Sequence, residues 1–272
     1  MSIASLESHQ QARASLAKVR RADVHIAAIN TIIENWLPTV GQPVAAIAND
    51  RLSWDVRLSL STPASLESLS LTFGDAIHNL RSALDHLVWS YASPDQLDDE
   101  ARRQLAFPAS QTEQSWNQNH GRWLRSVPLD VVARIKDCQP YNRPVGVRAS
   151  DALLGLNALD NQDKHRLLVE AQAALTDMGV AHSVEFASEE AAERNVPPDV
   201  TVHQAKLEDK ALLLEGRTVD RIEKISGNIQ VEYQFLVITP RGPAELLDVL
   251  AGMRHYVLLL LAYVCDVGPS TA

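Results

Sequence analysis

The sequence has few cysteines and no long uninterrupted apolar segment, and both shortages limit the class of protein it can encode. Cys138 and Cys265 lie far apart and match neither a disulfide framework nor a zinc-ligand spacing, so we expect both to be reduced. The most apolar stretch, Tyr256–Cys265, is shorter than the roughly 20 residues that cross a bilayer. The N-terminus also lacks the apolar core of a secretory signal. We therefore expect a cytoplasmic protein with no membrane partner.

Basic residues are in the minority, because the chain has 34 Asp and Glu against 25 Lys and Arg, a net charge of −9. This balance argues against a basic surface for long nucleic-acid duplexes, although it leaves room for a local basic pocket. Hydrophobic residues make up 46% of the 272 residues, which is enough for a sizeable core. Most of the chain should therefore be folded.

The order of apolar residues predicts an α+β protein built mainly from a bundle of about four to five helices. Helical periodicity covers residues 10–37, 72–91, 127–137, 150–176 and 244–267. Alternation of apolar and polar residues predicts an early hairpin, 44–48 with 53–60, and a strand-rich segment near residues 180–240. We expect these strands to form a small antiparallel sheet. The predicted organisation is a single domain of residues 1–272, with a helical part (1–178 plus 243–267) and a strand-rich insertion (180–240).

The central helical segment, Thr72–Tyr91, has an unusual polar face opposite its apolar stripe. That face contains neither Lys nor Glu, although these are the good helix formers that usually fill a solvated face. Asp, Asn, Ser and His are less favourable in a helix, so their presence indicates a role other than solubility. The face and its shoulders consist of Asp75, His78, Asn79, Arg81, Ser82, Asp85, His86 and Trp89.

A second segment, residues 150–168, repeats this chemistry. Asn157, Asn161 and His165 are spaced by four, so they stack along one face of a helix. If the two helices pack face to face, their polar rows form a seam whose groups must bond to each other, to water or to a ligand. We call these two rows the polar seam; around the second row lie Asp160, Asp163, Lys164 and Arg166.

The same residues resemble the signatures of known families. Over most of its length the chain is similar to a set of uncharacterised bacterial proteins, a resemblance that implies no function. Its hallmarks are Gly74–Asp75, His78–His86, Gln139–Tyr141 and Asn161–Arg166. Arg81 and His86, with four residues between them, also resemble the Arg-x4–6-His motif of HEPN ribonucleases. These are helical-bundle enzymes of toxin–antitoxin and phage-defence systems, in which Asn, Asp or His usually follows the arginine, where this chain has Ser82.

The HEPN resemblance implies a metal-independent RNA endonuclease that needs no cofactor and forms a homodimer. In that interpretation His86 is the general acid or base and Arg81 holds the phosphate. Asp85 or Asn79 would orient them. His165 and Lys164 would supply a second proton donor and a positive charge. RNA is then the expected partner, and any antitoxin partner is unknown.

Two alternatives stay open at this point. A divalent metal ion could be bound by Asp75, His78, His86 and His165, since helical bundles place carboxylate and histidine ligands at such spacings. The seam could otherwise be non-catalytic, because asparagine both donates and accepts hydrogen bonds. It would then bind a small polar ligand or fix helix register as a buried network.

Overall fold

The computed structural model describes residues 6–62, 64–165, 171–196, 199–203 and 208–266, with the backbone alone at residues 42, 163–165, 171–182 and 227–232. The helices are α1 (Arg13–Trp36), α2 (Leu66–Tyr91), α3 (Asp99–Gln104), α4 (Glu113–Trp123), α5 (Leu129–Asp137), α6 (Val145–Arg148), α7 (Ala152–His165), α8 (Glu189–Arg194) and α9 (Leu246–Val264). The strands are β1 (Val40–Ile47), β2 (Ser53–Leu60), β3 (Ala171–Phe186), β4 (Asp199–Val202), β5 (Leu212–Arg217), β6 (Ile222–Thr239) and β7 (Gly242–Glu245). The predicted α+β class is confirmed, with more short helices than the sequence indicated.

The strands form two small sheets. One has the order β1-β2-β5-β4 with every neighbouring pair antiparallel, and the other has the order β3-β6-β7. The early hairpin therefore pairs with later strands, as predicted, with Val56 of β2 opposite Leu214 of β5. The first sheet buries a small apolar core that includes Trp54, Val56, Leu58, Leu213 and Leu214, and Ile222 of β6 packs with them.

The predicted end of the first helical part, residue 178, is wrong. Helix α7 ends at His165, and residues 171–178 belong to strand β3. The alanines and leucine of this stretch have good helix propensity, which favoured the helical interpretation. Propensity is a weak preference, however, and pairing with β6 overrides it.

Contacts within the chain group its residues into two compact units. The first contains residues 1–30, 67–170 and 237–272, and the second contains residues 31–66 and 171–236. Most of the predicted insertion thus falls in the second unit together with the early hairpin. The prediction of a single domain stays a prediction.

Helix α2 buries a long apolar face in the first unit. Its apolar stripe follows the spacing expected from the sequence, because residues three and four apart lie on the same side of a helix. Leu69, Phe73, Ile77, Leu80, Leu84 and Leu87 are all almost completely buried. The helix ends at Tyr91, shortly before Ser93 and Pro94. This is expected, because the residue before a proline disfavours the helical conformation.

Among the described residues, α9 is the one helix long and apolar enough to cross a membrane by length and composition. About 39% of that span is buried within the structure. Polar contacts interrupt it, since Arg254 Nη2 donates to Asp23 Oδ2 at 2.9 Å and Tyr256 donates to Asp151. Glu245 caps its first turn by accepting from the backbone N–H of Asp248 at 2.6 Å.

Candidate functional site

Arg81 lies in the part of the polar seam where α2 meets α7, and its side chain is only 8% exposed. Nη1 donates to Asp85 Oδ1 at 2.8 Å and Nη2 donates to the Phe107 carbonyl at 2.7 Å. Nε faces Asn157 Oδ1 at 3.4 Å, which is a long contact. Every nitrogen of the guanidinium is therefore directed at an oxygen of the protein, which leaves Arg81 poorly placed to hold a phosphate in this conformation.

Asp85 joins Arg81 to the segment that follows α3. The same carboxylate oxygen, Oδ1, accepts from Arg81 and from the backbone N–H of Phe107, each at 2.8 Å. Phe107 is itself buried. Since its N–H and its carbonyl are both bound by this pair, Arg81 and Asp85 hold the backbone at residue 107 against α2.

His78 and Asp160 make the second contact between α2 and α7. His78 Nδ1 lies 2.9 Å from Asp160 Oδ1, and the carboxylate is 3% exposed whereas the imidazole is 46% exposed. A carboxylate only accepts, so Nδ1 carries the proton of this hydrogen bond. The pair orients one histidine nitrogen away from a buried anion.

Other residues of the α2 row lie away from Arg81, and one of them is near α1. Asp75 Oδ2 lies 3.9 Å from His25 Nδ1, and Asn79 Nδ2 donates to the backbone carbonyl of Asp75 at 2.8 Å. Ser82 is half-buried, and Trp89 is exposed near the end of the helix. These residues consequently do not share the surroundings of Arg81.

His86 is half-buried and lies near Lys18 of α1. Burial lowers the pKa of His86 below its ordinary value, and the charge of Lys18 lowers it further, while Asp85 opposes both. The imidazole is therefore neutral at pH 7. It forms no hydrogen bond or ion pair with a residue in the described part of the chain.

Arg81 and His86 thus have different neighbours, although the motif pairs them in sequence. Arg81 contacts α7 and the Phe107 backbone, whereas His86 lies beside α1. A separation of five residues turns the helix through about 140°, so one small ligand would need a deep cleft to reach both.

The C-terminal end of the second row lies at the limit of what the structure describes. Asp163, Lys164 and His165 belong to the last turn of α7. Their side chains, and the whole of Arg166, lie outside the described residues. The predicted roles of His165 and Lys164 therefore stay predictions.

A groove between α7 and α9, which the sequence did not predict, adjoins the seam. Its volume is about 800 Å³, within the range of small-molecule sites. Asn157 and Asn161 line it from the predicted row of α7. Other polar lining residues come from elsewhere in the first unit: Gln111, Ser150, Thr239, Arg241, Asp248, His255 and Tyr256.

Small residues keep the groove open. A Cβ at Gly155 would lie 3.1 Å from Met253 Cε, so the two helices approach closely there, whereas a Cβ at Gly252 would meet nothing within 4 Å. Gly155, Ala158 and Gly252 all line the groove. Glycine within a helix costs stability, so Gly155 and Gly252 were the signal in the sequence that could have indicated this cavity.

Asp151 anchors one end of the groove. Its side chain accepts from the backbone N–H of Leu153 at 2.8 Å, from Tyr256 OH at 3.3 Å and from Arg143 Nε at 3.2 Å. Burial raises the pKa of Tyr256 to about 12, and the charge of Asp151 contributes to the rise. Tyr256 is therefore a protonated hydroxyl that donates to Asp151 at neutral pH.

The turn between β6 and β7 also lines the groove. Gly242 has a φ of 108°, a conformation that L side chains rarely adopt, so the turn that carries Arg241 requires glycine. Neither Arg241 nor Asp248 forms a side-chain hydrogen bond or ion pair with any residue that the structure describes. Both charges are thus available to a ligand.

No group of three or more His, Cys, Asp and Glu side chains suited to a metal ion occurs among the described residues. In the alternative metal set, Asp75 lies 3.9 Å from His25 and His78 is paired with Asp160, while His86 lies beside Lys18. The described members of that set therefore do not form one cluster.

Comparison of the chain with protein-family models, with curated proteins and with solved structures finds no match. The two resemblances seen in the sequence therefore stay predictions.

Proposed function

We propose that this protein binds a small polar ligand in the groove between α7 and α9. The observation that carries the proposal is that Asn157 and Asn161, two of the three residues in the predicted α7 row, line a cavity of about 800 Å³. An amide side chain can donate and accept hydrogen bonds, so the two asparagines can recognise the polar edge of a ligand. Leu154, Val249 and Met253 supply apolar contact area beside them.

The contacts of Arg81 support a binding site in the groove more than a catalytic site at the seam. Asn157 faces Arg81 from α7 and also lines the groove. Arg81 and Asp85 fix the backbone and hold α2 against α7. The seam thus acts as a rigid support for one wall of the groove, which lowers the entropy cost of binding.

A thermal-shift screen tests the proposal. Free amino acids, nucleosides, nucleotides and monosaccharides would each be added to the purified chain and to variants Asn161→Leu and Gly252→Leu. Asn161→Leu removes a polar contact, and Gly252→Leu fills the groove. Asn117→Leu makes the same substitution on an exposed face of α4 and is the control.

We expect at least one of these compound classes to raise Tm for the wild type and for Asn117→Leu. The same class should have no effect on the two groove variants. A shift that persists in Gly252→Leu would place the ligand elsewhere, and the absence of any shift would contradict the proposal.

As a second candidate function, we propose metal-independent RNA cleavage of the HEPN type, in a toxin or defence role. The observation that favours it is the half-buried, neutral His86 beside Lys18, because a neutral imidazole can accept the proton of a 2′-hydroxyl. Lys18 would contact the phosphate, since Arg81 is bound to protein oxygens. Arg81 would then act as a positioning residue that holds Asp85 next to His86.

Incubation of the chain with end-labelled single-stranded RNA in EDTA tests this second candidate. Cleavage should persist in EDTA, disappear in His86→Ala and fall strongly in Lys18→Met, while His203→Ala, a histidine of the second unit, cleaves normally. Light scattering should show the homodimer that the HEPN resemblance implies. Equal cleavage by wild type and His86→Ala would identify a contaminating nuclease and remove the hypothesis.

A further inference from the structure

We infer that the ligand of the α7–α9 groove is a zwitterion of the α-amino acid class with an apolar side chain. This inference rests on the proposed function and adds the chemistry of the ligand. It is carried by two opposite charges that line the groove and pair with no residue in the described ranges, and by small and apolar residues along its middle.

The direction of the two helices places Asp248 near Asn161. Tyr256 contacts Asp151 and Met253 lies against Gly155, so α7 and α9 run antiparallel. From the Gly155–Met253 contact, Asn161 is about 9 Å further along α7, and Asp248 is about 7.5 Å back along α9. Asn161 and Asp248 therefore lie toward one end, and the turn that carries Arg241 also lines the groove and leads through β7 (Gly242–Glu245) into the start of α9.

Arg241 and Asp248 are complementary to the two charges of an amino acid. A guanidinium binds a carboxylate through paired N–H donors, and a carboxylate accepts from an ammonium group. Arg241 and Asp248 do not form an ion pair with each other, nor with other residues in the described ranges. Each can therefore take the opposite charge of a ligand, and Asn161 can add a hydrogen bond to either group.

The balance of charge argues against the other common ligands. A nucleotide or another phosphate monoester carries a charge of about −1.5 to −2 at pH 7. It would meet one arginine beside the carboxylate of Asp248. A simple cation would meet Arg241. A zwitterion places an opposite charge against each of the two side chains.

The middle of the groove fits an apolar side chain. Leu154, Ala158, Val249 and Met253 line it, and the glycines at 155 and 252 leave free space between the helices. Methionine adapts its shape easily, so one groove can accept side chains of different outline. Apolar area buried here adds to the affinity.

Isothermal titration calorimetry with L-leucine, L-methionine and L-phenylalanine tests the inference. N-acetyl-L-leucine lacks the ammonium group and L-leucinamide lacks the carboxylate, so each removes one of the two charges. We expect L-leucine or one of the other two amino acids to bind, and both derivatives to bind about tenfold more weakly or worse.

Substitutions at the two charges make the test specific. Arg241→Gln and Asp248→Asn should each weaken binding of the free amino acid by about tenfold. Arg241→Gln should have no further effect on L-leucinamide, and Asp248→Asn none on N-acetyl-L-leucine. Both positions are exposed, so the variants should fold normally, and Arg122→Gln on α4 is the matched control.

The outcomes separate this inference from the proposed function. If nucleosides, nucleotides or monosaccharides raise Tm in a way that Gly252→Leu abolishes, and the three amino acids do not bind, the groove is a ligand site and the zwitterion inference is wrong. Equal binding of L-leucine and N-acetyl-L-leucine would also overturn it. If no compound in either experiment binds, both the ligand-binding proposal and the zwitterion inference are wrong.

Discussion

Arg81 and Asp85 are four residues apart on α2, yet their most informative contact is with the backbone of Phe107. The helical spacing of the pair could be predicted from the sequence, because residues four apart face the same side of a helix. The contact with residue 107 could not be predicted, since it depends on how the segment after α3 packs against α2. The motif therefore indicated that these residues matter, and only the structure shows that they bind the protein itself.

At this scale we predict that Arg81→Met is strongly destabilising. It leaves Asp85 without its guanidinium and the buried Phe107 carbonyl without its donor, so we expect a loss of about 3–5 kcal/mol in the free energy of unfolding. Urea denaturation followed by circular dichroism measures it. The control is Arg20→Met, which removes the exposed ion pair with Glu7 and should cost less than about 1 kcal/mol.

His86 should make the stability of the protein depend on pH. Burial and Lys18 lower its pKa in the folded state, so the unfolded state binds the proton more readily. The contribution of neutral His86 to stability is fully present above its unfolded-state pKa of about 6.5. It is lost as pH falls from there through the lower folded-state pKa. We expect His86→Gln to show a smaller loss of unfolding free energy between about pH 7 and pH 5 than the wild type. Parallel curves for the two proteins would contradict this assignment.

At the scale of the element, local pattern predicted α2, α9 and the β1–β2 hairpin, because each shows its full period in sequence and has clear end signals. Strand β3 was predicted as helix over its first half, because an alanine-rich stretch has no alternation that reveals a partner strand. The α7–α9 groove was missed for a similar reason. Small residues on two distant helices form a cavity only when those helices pack together.

The pairing of β2 with β5 leads to a prediction about Gly216. Trp54 lies opposite Gly216, and a methyl group at that position would overlap the indole ring. Trp54 is buried in the sheet core, so the ring cannot move aside cheaply. Gly216→Ala should destabilise the protein by about 1–3 kcal/mol.

The control for this substitution is Gly121→Ala in α4, where a Cβ would meet nothing within 4 Å. Because alanine favours a helix, Gly121→Ala should instead stabilise the protein by about 0.5–1 kcal/mol. Urea denaturation of both variants measures the difference. Similar effects at the two positions would show that the indole does not set the cost.

At the scale of the whole molecule, the question is whether α9 lies within the fold or in a bilayer. Arg254 is near the middle of this 19-residue helix, where a charge in a membrane is costly, and in the structure it is paired with Asp23 of α1. We expect the expressed chain to stay in the supernatant after membranes are pelleted. Recovery in the pellet after an alkaline carbonate wash would show that α9 inserts.

The strand order β1-β2-β5-β4 also has a consequence for biosynthesis. The first hairpin can form as soon as it leaves the ribosome, but the partner of Arg57 in β5 is Leu212, which is made about 155 residues later. At roughly 5–20 residues per second, this leaves one edge of β2 unpaired for about 8–30 s. An exposed strand edge invites pairing with other chains, so the nascent protein should depend on chaperones during this interval. Arg57 and Asp55, which are charged and adjacent to that edge, are then the residues that limit aggregation before the sheet is complete.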